Sequence, residues 1–144
     1  MDKVGKIKRK IKREPDISLF EYEGFECVIA RNNLGVLCGY LSFKLGHKLY
    51  GATIEYIETH FPYLPFHGGV TFANKGIYVD LQIITNDWYI GFDCAHSFDY
   101  IPAYENRIDG LEYRDHKYIK QRLKESVMYL IRNGVRGKWY GKKV

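Results

Sequence analysis

The sequence is short of cysteine, proline and long apolar runs, and each shortage excludes something. Three cysteines stand in 144 residues, Cys27, Cys38 and Cys94, with no C-x-x-C pair among them. An odd, widely spaced set gives neither a disulfide framework nor the paired ligands of a structural zinc site, so free buried thiols are expected. Of the four prolines, Pro62 and Pro65 stop any helix begun near Ala52. No apolar run approaches the ~18–20 residues of a membrane span, and the longest, around Leu34–Phe43, is broken by glycines. The basic N-terminus is not followed by the apolar stretch and small-residue cleavage site of a secretory signal, so a cytoplasmic protein is expected.

Aromatics, by contrast, are abundant: 13 Tyr, 8 Phe and 2 Trp make 16% of the chain. That load offsets the entropy of ordering and excludes a disordered chain. At ~100–200 residues per domain, the length allows one domain.

The net charge of +5 is unevenly placed. Lys3, Lys6, Lys8, Arg9, Lys10, Lys12 and Arg13 stand against Asp2 alone at one end, and Arg136, Lys138, Lys142 and Lys143 have no acid beside them at the other. Residues 14–135 keep eleven bases and sixteen acids, so the body carries −5 and the basicity lies in the tails. Such tails can touch nucleic-acid phosphates weakly and without reading sequence. The body lacks a basic recognition helix, so contact of the tails with acidic surfaces is the simpler expectation.

After Pro15 the runs Ile17–Tyr22, Phe25–Arg31 and Val36–Phe43 are rich in β-formers, and Glu23-Gly24 and Asn32-Asn33-Leu34-Gly35 punctuate them. A three-stranded meander is expected. Ala52–Thr59 reads as a short helix, while Gly69–Ala73, Ile77–Ile84 and Trp88–Asp93 read as strands. Residues 94–112 read as a long irregular loop. Ile119, Leu123, Val127, Leu130 and Ile131 form one stripe at helical period, so a helix is expected from Arg114 to Asn133, stopped by Gly134. The fold expected is α+β: an antiparallel sheet of about six strands with one long C-terminal helix on one face. Residues 1–14 form a basic arm, 15–134 the single domain and 135–144 a basic tail. An exposed strand edge and opposite charges on body and tails favour a homo-oligomer.

Three segments do not read as scaffold. Gly46-His47-Lys48-Leu49-Tyr50-Gly51 sets a histidine and a tyrosine between glycines. In His67-Gly68-Gly69-Val70-Thr71 a histidine precedes two glycines entering a strand, and Asp93-Cys94-Ala95-His96-Ser97-Phe98-Asp99 delivers acids and a histidine where a strand ends. Backbones at such glycines can approach a ligand, and side chains at element ends can face a cleft. His60 and His116 lack such a setting and are expected to be exposed. Taken singly, a histidine before Gly-Gly can serve only as a turn cap, and Asp93 can serve only the loop amides. The coincidence of two His-Gly neighbourhoods and one Asp/His cluster in a small domain points past those structural roles.

Together Leu37-Cys38-Gly39-Tyr40, Gly46-His47-Lys48-Leu49-Tyr50-Gly51, His67-Gly68-Gly69-Val70-Thr71 and Gly91-Phe92-Asp93-Cys94-Ala95-His96, followed by Tyr113-Arg114-Asp115 opening a helix, resemble a small, uncharacterised family of phage and prophage proteins. The resemblance covers about residues 22–132 and leaves the basic tails outside. Where the family pattern has proline after its first histidine and Ala-Gly-Asp after its last, this chain has Lys48 and Ser97-Phe98-Asp99. The resemblance implies a phage accessory protein acting in the host bacterial cytoplasm, of the kind that neutralises host defence by binding or cleaving a nucleotide signal.

The chemistry expected is hydrolysis of a phosphate-containing, nucleotide-like small molecule. His47, His67, Asp93 and His96 are the candidate catalytic groups, converging at one end of the sheet, with imidazoles moving protons and a carboxylate orienting them. Tyr50, Thr71, Asp99 and Arg114 are the candidate ligand-binding groups. His67, Asp93, His96 and Asp99 are the alternative donor set for one divalent metal that would activate water. Two other classes stay open. One is a sponge holding a nucleotide signal, with Tyr50, Trp88 or Tyr100 stacking on a base and Arg31, Arg107 or Arg114 pairing with phosphate. The other is a protein–protein inhibitor of a host defence enzyme.

Overall fold

The computed structural model describes residues 2–79, 82–83, 86–104 and 111–138. The elements run α1 (Lys3–Arg13), β1 (Ile17–Tyr22), β2 (Phe25–Arg31), β3 (Leu37–Phe43), α2 (Ile54–His60), β4 (Phe72–Lys75), β5 (Tyr78–Val79), β6 (Gln82–Ile83), β7 (Trp88–Phe92) and α3 (His116–Arg132). The class is α+β. Five strands form an antiparallel sheet in the order β1-β2-β3-β7-β4, and β5 and β6 pair separately as a short ribbon. Of the strand expected over Ile77–Ile84, positions 80, 81 and 84 lie outside the described residues.

The meander follows from its turns. Glu23 and Gly24 both take positive φ, 50° and 83°, the geometry of a two-residue hairpin whose twist matches the strands it joins. At the next turn the Asn32 side-chain oxygen accepts from the amides of Leu34 (2.9 Å) and Val36 (3.3 Å), which sets the register of β3 against β2.

Period-two alternation splits the sheet between two packed faces. Cys27, Ile29, Leu37, Leu41, Ile90 and Phe92 face α3, meeting Ile119, Leu123, Val127 and Leu130 in one core. Val28, Ala30 and Tyr89 face the other way and pack with Ile77, Tyr40 and Phe72. Each fully buried apolar side chain of this size contributes about 1.5–3 kcal/mol. At Gly39 a Cβ would lie 2.7 Å from the Phe92 ring and 3.0 Å from Ile119, so the missing side chain lets the start of α3 settle onto β3 and β7. Asp115 caps that helix by accepting from the Tyr118 amide at 2.9 Å, and Gly134, at φ 88°, follows its end.

The basic N-terminal arm is ordered as α1. Asp2 caps it through the Gly5 amide (2.7 Å), and Val4, Ile7 and Ile11 fall at i, i+3 and i+7, with Ile7 buried. Glu14, directly after α1, accepts from the Tyr113 hydroxyl (2.6 Å), Arg31 (3.1 Å) and the His116 amide (2.8 Å). Lys10 pairs with Asp115 at 2.8 Å. The arm thus meets the acidic body of its own chain, and His116, expected exposed, is half-buried beneath this joint. At the other end Val135 is buried in the core, while 139–144, with Lys142 and Lys143, lie outside the described residues. Among the described residues no helix is long and apolar enough to cross a membrane.

Candidate functional site

Strand pairing decides which candidate residues can meet. β7 runs antiparallel to β3, with Trp88 opposite Phe43 and Phe92 opposite Gly39. Asp93 therefore leaves the sheet at the Gly39 end, where α3 begins. The chain enters the segment of His47 and Tyr50 from the opposite end, beyond Phe43. The Phe66 ring packs on Phe92 at 4.9 Å, which brings the neighbouring His67 to the same end as Asp93.

At that end Asp99, 2% exposed, collects the donors. His67 Nε2 lies 2.8 Å and 3.0 Å from its two oxygens. The Arg114 Nε donates to one oxygen at 2.8 Å and the His96 amide to the other at 3.1 Å, with His96 Nδ1 3.4 Å from that second oxygen. Burial alone would raise the Asp99 pKa. The hydrogen bonds from His67, Arg114 and the His96 amide outweigh it and hold the carboxyl well below the usual carboxylate range. Asp99 is thus ionised, and His67 carries its proton on Nε2.

The other nitrogen of His67 is also occupied. Nδ1 lies 2.7 Å from the Tyr118 hydroxyl, which accepts from Arg122 Nε at 3.1 Å. The proton order that satisfies every member runs from Arg122 to Tyr118 to His67 to Asp99, with Arg114 closing the other side. The guanidinium groups of Arg114 and Arg122 lie over the Tyr118 ring at 5.1 and 5.5 Å. His67, engaged on both sides, is a positioning group.

His96 is placed differently. Asp99 fixes its Nδ1 side, while Nε2 stands 3.8 Å from Asp93, beyond hydrogen-bond reach, and a third of the side chain is exposed. The ring opens on a cavity of about 220 Å³ that also takes in Asp99, Ile101, Tyr104 and Leu111. Gly68, at φ 71°, lies against the Cε1–Nε2 edge of the ring, where a Cβ would come within 2.5 Å of both atoms. Asp93 spends one oxygen on the Ala95 amide (3.0 Å) and the other on Thr71 (3.4 Å), an arrangement that holds the loop at the rim.

The structure therefore brings together His67, Asp93, His96, Thr71, Asp99 and Arg114, and leaves His47 and Tyr50 apart. The His47 ring packs on Phe43 (4.5 Å), its Nε2 donates to the Arg136 carbonyl (2.7 Å), and its Nδ1 accepts from the Leu49 amide (2.9 Å). Burial lowers its pKa, and both ring nitrogens are engaged within its own segment and with the chain after α3. The Tyr50 ring lies tilted against Trp88, 5.8 Å between centroids. Of the other groups named for stacking or phosphate pairing, Tyr100 is buried and Arg31 is held by Glu14 and Asp16. Arg107 lies outside the described residues.

Among the described residues one group could hold a metal: His67, Cys94 and Asp99 offer donor atoms within 4.8 Å of one another. Cys94 replaces Asp93 and His96 in that set. A bound cation would have to displace the Arg114 guanidinium from Asp99 and ionise a thiol whose pKa burial, then the charge of Asp99, push up. The donors fit a hydrogen-bonded proton network better than a coordination sphere.

Tyr118 and Arg122 were not among the sequence candidates. Their signal was present: Tyr118 and Arg122 fall at i and i+4 on α3, a polar pair beside its apolar stripe, four and eight residues after Arg114. Compared with known proteins, the chain matches no family model, no curated protein and no solved structure.

Proposed function

We propose that the chain is an accessory protein of the phage type its motifs resemble, and that it binds and hydrolyses a phosphate-containing, nucleotide-like small molecule in the cavity beside His96. The observation that carries this reading is the pair of Asp99 and His96: a buried, ionised carboxylate beside Nδ1, and an Nε2 with no hydrogen-bond partner among the described residues, on a ring that lines a cavity and is a third exposed. That is the arrangement a general base needs, because the carboxylate selects the tautomer and stabilises the imidazolium that forms.

In the proposed step, His96 Nε2 takes a proton from a water as its oxygen bonds to phosphorus. The phosphorus–oxygen bond to the leaving group breaks, and the imidazolium returns the proton to that oxygen. The preference for an anion is supported by cations near the cavity. Lys3 Nζ lies 2.5 Å from the carbonyl of Leu111, a cavity residue, and Lys3 and Lys6 line a second cleft with Glu112, the next residue in the chain. Tyr104, half-exposed on the cavity wall, offers a face on which a base can stack.

The test is incubation with a panel of cyclic dinucleotides and NAD-derived nucleotides, followed by heat denaturation and chromatography of the supernatant, with and without EDTA. The expected result is a new product peak that EDTA leaves unchanged. Ligand that is depleted before heating and returns intact afterwards would make the protein a sponge.

A further inference from the structure

The proton network leaves unused the most concentrated charge in the molecule. α1 carries seven cations and no acid in eleven residues. At 1.5 Å per residue that is about 16 Å of helix, or one positive charge per ~2.4 Å. Lys6, Arg9, Lys12 and Arg13 are exposed and have no ion pair among the described residues. The charge continues past α1. Lys10 and Lys117 flank Asp115, and from Lys117 the row passes to Lys120 and Lys124 at i+3 and i+7 along α3, where the ammonium groups lie over Phe20 (5.0 Å) and Tyr22 (5.3 Å) of β1.

From this arrangement we infer that α1 and the lysine row of α3 form a docking surface for the phosphate backbone of a nucleic acid, bound without reading its sequence. Two observations choose this occupant. The first is charge density: the four exposed cations without an ion pair fall within Lys6–Arg13, about one positive charge per 3 Å of helix, to set against about one negative charge per 1.7 Å of duplex axis. The second is the apolar side of α1. A helix that lies in a membrane surface must bury its apolar face among lipids, whereas Val4, Ile7 and Ile11 are turned into the body, with Ile7 buried. What α1 presents outward is charge alone. Because the helix is already capped by Asp2 and anchored through Glu14, binding does not have to order it.

The experiment measures binding of the full chain to a fluorescently labelled duplex of random sequence, across a salt series, with vesicles of anionic lipid as the competing surface. Each phosphate contact contributes a slope of about 0.9 in log affinity against log salt, so four contacts weaken binding about 100-fold between about 50 and about 200 mM salt. The variant Lys6→Gln/Arg9→Gln/Lys12→Gln/Arg13→Gln keeps good helix formers at exposed positions. It is expected to bind at least about tenfold more weakly at the low salt and to lose about 0.9 of slope for each contact removed, the lysine row of α3 keeping the remainder. Lys48→Gln/Lys75→Gln, which changes two exposed lysines elsewhere, is expected to bind as wild type does. Helix content by circular dichroism confirms that the fourfold variant is folded. No binding at low salt, an unchanged slope in that variant, or binding to vesicles with none to the duplex would each overturn the inference. None of these readouts involves turnover, so this inference and the hydrolase reading fail separately.

Discussion

Replacing Asp99 by asparagine changes one atom and disturbs most of the site. Four groups converge on the carboxylate: His67 Nε2, Arg114 Nε, the His96 amide and His96 Nδ1, between 2.8 and 3.4 Å. An asparagine offers one oxygen and one NH2, so whichever way it lies a donor is turned toward donors. The His67 ring can recover one contact only by moving its proton to Nδ1, which reverses the bond to Tyr118. Arg114 loses its buried counter-charge and keeps exposed Glu112 at 3.3 Å. Breaking a buried pair in this way costs about 3–5 kcal/mol, and the residual exposure of Arg114 puts the expected loss near 3. For a domain of this size that lowers Tm by about 10 °C. The pH dependence has a fixed sign. Because the folded Asp99 pKa lies below the unfolded value of about 3.9, its contribution is fully present above that pH. It fades as pH falls through the lowered folded value. Urea unfolding of wild type and Asp99→Asn is therefore expected to differ by about 3 kcal/mol at pH 7 and to converge toward acid. A difference under about 1 kcal/mol at pH 7, or one that stays constant into the acid range, would refute the assigned network.

Three further substitutions probe other parts of the account. Gly68→Ala puts a Cβ 2.5 Å from the His96 ring at a φ of 71°, so turnover should fall about 100-fold through misplacement of the imidazole. Steady-state kinetics on the folded variant check it, and unchanged kcat/KM would mean that His96 is not the base. His47 has a folded pKa below its unfolded value of about 6.5, so its contribution to stability is present above that pH and erodes as pH falls below it. Unfolding free energies of His47→Gln should lack the part of the acid slope that wild type shows below pH 6.5, and identical slopes would count against a buried neutral ring. Glu14→Gln removes the charge that joins α1 to Arg31, Tyr113 and the start of α3, at a cost of about 3 kcal/mol. Limited trypsin digestion should then cut within α1 first, and a cleavage pattern like that of wild type would show that the helix is held by other contacts.

The parts of the fold legible in the sequence are those governed by local chemistry. The meander could be read because Glu23-Gly24 and Asn32–Gly35 are turn sequences between β-branched and aromatic runs, and α3 because its stripe persists from Ile119 to Ile131. α1 was hidden by its charge. Asp2 as a cap and Val4, Ile7 and Ile11 at helical spacing were all present, but its helix depends on docking, and the anchor, Glu14 on Arg31 and Tyr113, joins residues far apart in sequence. The site was half legible for the same reason. His67, His96, Asp99 and Arg114 stood out by type and neighbourhood. Whether His47 joined them depended on the antiparallel pairing of β3 with β7, which sends the two histidine segments to opposite ends of the sheet. Tyr118 and Arg122 looked like the ordinary polar flank of an amphipathic helix until His67 was placed against them.

The proposed base for attack on a phosphate-containing ligand is His96, oriented by Asp99. The most direct measurement is turnover of the ligand that gives a product with wild type, repeated with His96→Gln. The variant should lose about 100-fold or more in kcat with ligand affinity little changed. Turnover that survives the substitution at the wild-type rate would contradict this and place the chemistry elsewhere in the molecule.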